Sequence, residues 1–147
     1  MRVSGVAGRL GGMSATAITR LNPAQLHPTA GYHHITVVEA GRTAHLAGQC
    51  PLDLAGTLVG RDDLAAQIDQ VVANALVALA AVGAGPEQVV RSVIYVVSAE
   101  SAVLGSAWRH LAATDLAPAF TTASTLLGVS QLGYEGQLVE IDLTAAL

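Results

Sequence analysis

The sequence predicts an α+β domain in which two helices cover one face of a β-sheet. Three observations point there: short β-branched runs come first, a long helix with one apolar face follows, and strand, helix and two more strands complete the chain. The chain has 147 residues, of which 52% are hydrophobic and 12% charged, which suits one core and one domain. Residues 1–16 are expected to be a leader or arm, and residues 17–147 the single domain.

Ala17 to Leu21 reads as a short strand that Asn22-Pro23 ends, followed by a polar loop to Gly31. His34 to Val38 and Thr43 to Ala47 read as a hairpin, because β-branched residues flank the glycine-bearing turn Glu39-Ala40-Gly41-Arg42. Pro51 blocks continuation, and Asp53 to Gly60 forms a loop. A helix opened by Arg61 or Asp62 then carries Leu64, Ile68, Val71, Val72, Ala75, Leu76 and Leu79 at three- and four-residue spacing, and stops at Gly83. Such a helix buries only one stripe, so it requires a sheet to lie on. Val89 to Val97 is apolar apart from Arg91 and Ser92, the pattern of a central strand covered on both faces. Ser98 is the expected N-cap of a second helix running through Trp108 to Ala113. A Thr/Ser-rich strand from Phe120 to Val129 and a last strand from Leu138 to Leu143 close the domain. Pattern alone does not separate a ferredoxin-like arrangement from other two-layer sandwiches.

Composition excludes several function classes. Net charge is −4 and the seven basic residues, all arginine, form no cluster, which argues against a nucleic-acid partner. The absence of lysine excludes a lysine Schiff base. One cysteine, Cys50, excludes an internal disulfide and fits a reducing, cytoplasmic setting. Met1 to Gly12 lacks the apolar run of a signal peptide, and Val71 to Val82 is too short to span a membrane. A charged fraction near half the usual ~25% leaves an isolated chain with an unusually apolar surface, which self-association would hide.

Two segments carry a resemblance. Gly48-Gln49-Cys50-Pro51-Leu52-Asp53 and Gln137-Leu138-Val139-Glu140-Ile141-Asp142, together with Gly31-Tyr32, Gly60, Gln67 and Asn74 in the same order, resemble the Rid family (RidA/YjgF, endoribonuclease L-PSP) over residues 17–147. The resemblance implies the chorismate-mutase-like Rid fold, homotrimers with a central barrel, and small-metabolite clefts between subunits that hydrolyse enamines or imines without a cofactor. In active members an arginine on the penultimate strand grips the substrate carboxylate, and a glutamate on the last strand positions water. Glu140 matches the glutamate, Tyr32 a cleft tyrosine and Gly48 a backbone glycine. The arginine has no match, because no basic residue follows Arg109. Phe120 or Ser124 stands in its place, depending on whether Pro118-Ala119 or Gly128-Val129 anchors the comparison.

No neutral side chain reproduces a bidentate guanidinium fork, so the expected ligand is a neutral or weakly polar metabolite. Glu140 is the expected catalytic carboxylate, against a reading in which it only pairs with an arginine across the trimer. Tyr32, Gly48, Phe120, Thr122 and Ser124 are the expected substrate-binding residues, with Thr122, Ser124 and Leu126 on one strand face if the strand is regular. Tyr32 as a lid on an apolar pocket, and Thr122 and Ser124 as satisfied edge residues, are the plainer readings. Arg20 and Arg91 are the cations whose approach to the site would restore an acid substrate. His33 and His34 point to opposite faces of extended chain and share no metal, and no other ligand spacing occurs. Cys50 is expected to be a buried, unreactive thiol. Hydrolysis or tautomer exchange on a non-carboxylate substrate is the leading expectation, and a non-catalytic ligand-binding trimer the alternative.

Overall fold

The computed structural model describes residues 17–147, so the expected leader at 1–16 lies outside the described residues. The chain forms strands β1 (Ile18–Leu21), β2 (Ile35–Val38) and β3 (Thr43–His45), helix α1 (Leu64–Ala81), strand β4 (Val89–Val97), helix α2 (Ser101–Leu111), and strands β5 (Ala123–Val129) and β6 (Val139–Ala146). A four-stranded sheet has the order β3-β6-β4-β5, with β4 and β5 parallel and the other neighbours antiparallel. Both helices pack on it: α1 lies against β6 and α2, and α2 against β5.

The expected hairpin between the second and third strands does not form. β2 pairs with β1 in a separate two-stranded ribbon, while β3 takes the outer edge of β6. The reason is non-local. Leu46 N–H donates to Leu143 O and Leu147 N–H to Arg42 O, which extends the β3–β6 pairing past both ends of β3. The ribbon is latched to the other end of the sheet. Arg20 donates to Glu87 O (3.0 Å) and Val89 O (3.2 Å), Ala123 N–H donates to Thr36 Oγ1 (3.0 Å), and His33 N–H to Thr122 O (3.1 Å). The Glu39–Arg42 turn specifies that the chain reverses; which edge each strand finds depends on distant residues.

α1 follows its apolar period. Gln67, Ile68, Val71, Val72, Ala75 and Leu79 are its buried face. Its N-cap is Asp63, whose carboxylate accepts from Ala66 N–H (3.0 Å), because Asp62 is spent on a left-handed turn at φ 61°. The helix is long and apolar enough by length and composition to cross a membrane, in contrast to the shorter run read from sequence. Its inward face is instead the wall of the core. α2 begins later than expected: Ser98 Oγ accepts from Glu100 N–H (3.0 Å) and Glu100 is the N-cap. It also ends earlier, at Leu111.

β4 occupies the centre of the sheet, but one chain covers only one of its faces. Ser92, Ile94 and Val96 are buried, and so are Val139, Ile141, Leu143 and Ala145 of β6. The alternate residues Val93, Tyr95, Val97, Glu140, Asp142 and Thr144 form a second face that is only half-buried. Burial on both sides therefore requires a further layer beyond this chain.

Polar residues of α1 fix the loops around the sheet. Gln67, fully buried, donates through Nε2 to Gly60 O (3.1 Å) and Gly136 O (2.9 Å) and accepts from Leu138 N–H (2.7 Å). Asn74 donates to Cys50 O and Leu52 O, both at 2.9 Å. Gln67→Met keeps the volume and orphans three backbone groups, each costing about 1–3 kcal/mol if left dry. A loss of about 3 kcal/mol or more in urea unfolding is expected, well above that of Gln70→Met on the half-buried flank of the same helix.

Candidate functional site

The structure gathers the expected site residues into two places and leaves two others in the interior. Gly48 and Glu140 meet on the half-buried face of the sheet. The pairing of Gln49 with Ile141, through Gln49 N–H to Ile141 O (2.7 Å) and the reciprocal bond (3.2 Å), lays the Gly48 backbone beside the Glu140 side chain. A Cβ on Gly48 would fall 1.8 Å from Glu140 Oε1, so only glycine permits the carboxylate to lie there. Gln137, 3% exposed, donates to Glu140 Oε2 (3.1 Å) and to Val139 O (3.1 Å), while its own oxygen accepts from Tyr134 N–H (3.1 Å). The carboxylate is thus fixed by a buried amide, and no arginine or histidine lies in ion-pair contact with it among the described residues.

Cys50 belongs to this cluster, its thiol directed at Gly48 O (3.7 Å). Burial pushes the thiol above its ordinary value of 9.0, and the neighbouring Glu140 charge pushes it further. The sulfur is therefore a protonated neighbour of the carboxylate.

Tyr32 and Ser124 lie elsewhere. Ser124 is in register with Ser92, whose side chain is buried beneath the helices, while Glu140 is in register with Tyr95 and Leu127 on the other face. Within one chain the sheet separates Ser124 from Glu140. Tyr32, Gly105, Trp108, Arg109, Ser124 and Leu126 line an open cleft of about 570 Å³ between α2, β5 and the loop before β2. Ser124 Oγ contacts Ser92 Oγ and donates to Phe120 O (3.0 Å), so its hydroxyl is held within the protein.

Phe120 and Thr122 are interior. The strand begins at Ala123 rather than Phe120, because Pro118 sets up a 3₁₀ turn over Ala117–Phe120. Phe120 is 2% exposed and packs edge-on to Trp108, with ring centroids 6.0 Å apart. Thr122 is fully buried, lies outside the strand and bonds Thr36 Oγ1 (2.6 Å), so it does not continue the Ser124–Leu126 face.

Neither arginine considered as a substitute cation reaches Glu140. Arg20 is bound to the Glu87 and Val89 carbonyls, and Arg91 donates to Ala123 O (3.0 Å) and Thr125 Oγ1 (2.8 Å). His33 bonds Thr121 O and His34 Nε2 donates to His27 O (2.8 Å), so the adjacent rings engage different segments, although both residues precede β2 rather than lying in it. Sequence reasoning missed Gln137, Trp108, Arg109 and Gly105. Gly105, in the middle of a helix and three residues before a Trp-Arg pair, was the available signal, since glycine is unfavourable there without a packing reason.

A family model described as endoribonuclease L-PSP matches residues 22–147. The Rid-family protein YyfB of Yersinia pestis, a protein of unknown function, is 36% identical over 88% of this chain and 98% of its own, with a TM-score of 0.79. A member of the YjgF/YER057c/UK114 family from Mycobacterium tuberculosis is 25% identical over 89% of this chain and 100% of its own, with a TM-score of 0.52. Yeast Mmf1 is similar in fold alone, at 18% identity over 88% and 98% of the two chains and a TM-score of 0.58. Comparison with curated proteins finds no match.

Two outcomes follow at the Glu140 cluster. Gly48→Ala forces the carboxylate to move and should cost about 1–3 kcal/mol by overpacking, most of which the Gly48→Ala/Glu140→Ala pair recovers in a double-mutant cycle. The raised thiol favours the folded state while protonated, so its contribution is full below the unfolded value and fades as pH rises through the higher folded one. Stability measured across the range above pH 9.0 should fall more steeply for the natural chain than for Cys50→Ser.

Proposed function

We take as premise that this chain belongs to the endoribonuclease L-PSP (Rid) family, and we propose that it hydrolyses a small imine or enamine lacking a carboxylate, with Glu140 as the group that orients and deprotonates water. The observation that carries this reading is the carboxylate held by Gln137 over the bare Gly48 backbone with no cation beside it. A gripping cation is what an anionic substrate would need here; within one chain Arg20 and Arg91 are both committed to other acceptors, and Arg109 lies with Tyr32 and Ser124 on the far side of the sheet.

The chemistry asked of Glu140 is modest. As water oxygen attacks the C=N carbon, Glu140 takes one water proton and returns it to the nitrogen; the resulting carbinolamine then releases ammonia and leaves a carbonyl. Tautomer exchange uses the same carboxylate to carry a proton between carbon and nitrogen. No metal or organic cofactor enters either scheme. The Cys50 thiol, kept protonated, is a donor beside the carboxylate rather than a nucleophile.

The reading includes a homotrimer closing a central barrel, with each cleft finished by a neighbouring protomer. Its support is the half-buried second sheet face, where Val93 and Tyr95 lie beside Leu127, 41% exposed. Within that assembly Tyr32 and Ser124 would reach Glu140 only from another protomer. The reading includes a cytoplasmic setting, which the single free cysteine fits. Nucleic acid and membrane are not partners in this scheme, and RNA cleavage ranks last for an acidic chain without a basic stripe. A non-catalytic ligand-binding trimer is the second reading, favoured by the same missing cation, which leaves the substrate without electrophilic activation.

Hydrolysis of a neutral ketimine and of iminopropionate by the purified protein separates these readings. Turnover of the neutral imine, reduced about 10²–10⁴-fold in Glu140→Gln, is expected. Unchanged kinetics in Glu140→Gln, or preference for the carboxylate substrate, would overturn the assignment.

A further inference from the structure

Gln137 is the one side chain of the Glu140 cluster whose orientation admits no alternative. It is 3% exposed and meets one donor and two acceptors: its amide oxygen accepts from Tyr134 N–H (3.1 Å), and its amide nitrogen donates to Val139 O (3.1 Å) and Glu140 Oε2 (3.1 Å). Turning the amide over would set oxygen against two acceptors and nitrogen against an N–H, and would lose all these bonds together in a dry setting. Glu140 Oε2 is therefore always faced by a donor.

The backbone that carries Gln137 is held as closely. Gln137 N–H donates to Tyr134 O (3.0 Å), so residues 134 and 137 exchange two bonds across a turn. On either side, Gly136 O (2.9 Å) and Leu138 N–H (2.7 Å) are both engaged by the buried Gln67 amide. These bonds close the turn, and they fix the height at which the Gln137 amide meets the carboxylate.

The consequence is an inequality between the two oxygens of Glu140. Oε2 is engaged by the Gln137 amide, whereas Oε1 lies over the Gly48 backbone, where any Cβ would collide with it. A donor fixed against one oxygen stabilises charge there and leaves the other to exchange protons. We propose that Gln137 is a positioning residue that reserves Glu140 Oε1 for chemistry: the amide pins Oε2, and Oε1 alone takes the proton from the attacking water and passes it to the imine nitrogen. This inference rests on the hydrolysis read for Glu140 above. As the water oxygen bonds to the C=N carbon, the π pair moves to nitrogen and the proton held on Oε1 follows it, so the carboxylate ends as it began. An unpinned carboxylate would rotate and present either oxygen at many angles; pinning one removes that freedom before substrate arrives.

The test compares the full natural chain with Gln137→Met, Gln137→Glu, Gln131→Met and Glu140→Gln on a neutral ketimine across a range of pH, with the uncatalysed rate subtracted and rates normalised to folded protein. Gln137→Met keeps the volume and removes the donor, so kcat should fall about tenfold or more while KM stays within about twofold. Gln137→Glu can donate to Oε2 only while the two carboxyls share a proton, so its activity relative to the natural chain should fall as pH rises. Gln131→Met, exposed on the same loop, should keep natural kinetics. A packing role alone would give both Gln137 variants natural kcat per folded molecule at every pH. The inference is overturned, and the hydrolysis kept, if Glu140→Gln is inactive while Gln137→Met retains kcat or the Gln137→Glu ratio stays flat with pH. Natural kinetics in Glu140→Gln, or no turnover by the natural chain, would overturn the hydrolysis and this inference together.

Discussion

A single buried carboxamide fixes the geometry on which the Glu140 cluster depends. Gln67 ties α1 at once to the loop that ends in Gly60 and to the loop that feeds β6 at Gly136 and Leu138. Asn74, two turns further along the same helix, holds the Cys50 and Leu52 carbonyls. The helix therefore sets the height of both segments that meet at the carboxylate: Gly48 to Leu52 on one side, Gln137 to Glu140 on the other. Buried amides serve this role because an unmet backbone group in a dry interior is costly, which makes their hydrogen bonds specific rather than merely favourable.

The sheet then divides labour between its faces. Residues that alternate along β4 and β6 send aliphatic side chains towards the helices and Tyr95, Glu140, Asp142 and Thr144 the other way. Period-two geometry alone accounts for the separation of the carboxylate from the aromatic cleft beside β5. Sparse charge acts in the same direction. A surface with few ionised groups gives each one that is present, Glu140 on one face and Arg109 on the other, a distinct electrostatic neighbourhood.

Much of this was legible in the residues, and what was not has identifiable causes. The apolar spacing from Leu64 to Leu79 placed α1, and a run apolar but for Arg91 and Ser92 placed β4 at its bounds, because both signals are local. The Gly48–Asp53 and Gln137–Asp142 segments pointed to the family before any contact was known. Cap positions slipped by one or two residues, since Asp63 and Glu100 each follow another plausible cap. The expected hairpin does not form because a turn specifies reversal and not partners. Phe120 was placed on a strand because Pro118 signals a break without saying how long the following turn will be. The cleft lined by Tyr32, Trp108, Arg109 and Ser124 was not legible: only the fold brings the helix beside Tyr32, and no motif joins positions 32, 108, 109 and 124.

That the Gly48–Glu140 pair and the Trp108–Arg109 pair share no hydrogen-bond partner and stand on opposite sides of a four-stranded sheet bears on how such a protein changes over generations. Substitutions at sites without common contacts combine nearly additively. Within one chain, substitutions on one side can accumulate step by step without first repairing the other. Within one chain the sheet is in this sense a partition between two sets of contacts, held in common by a single core.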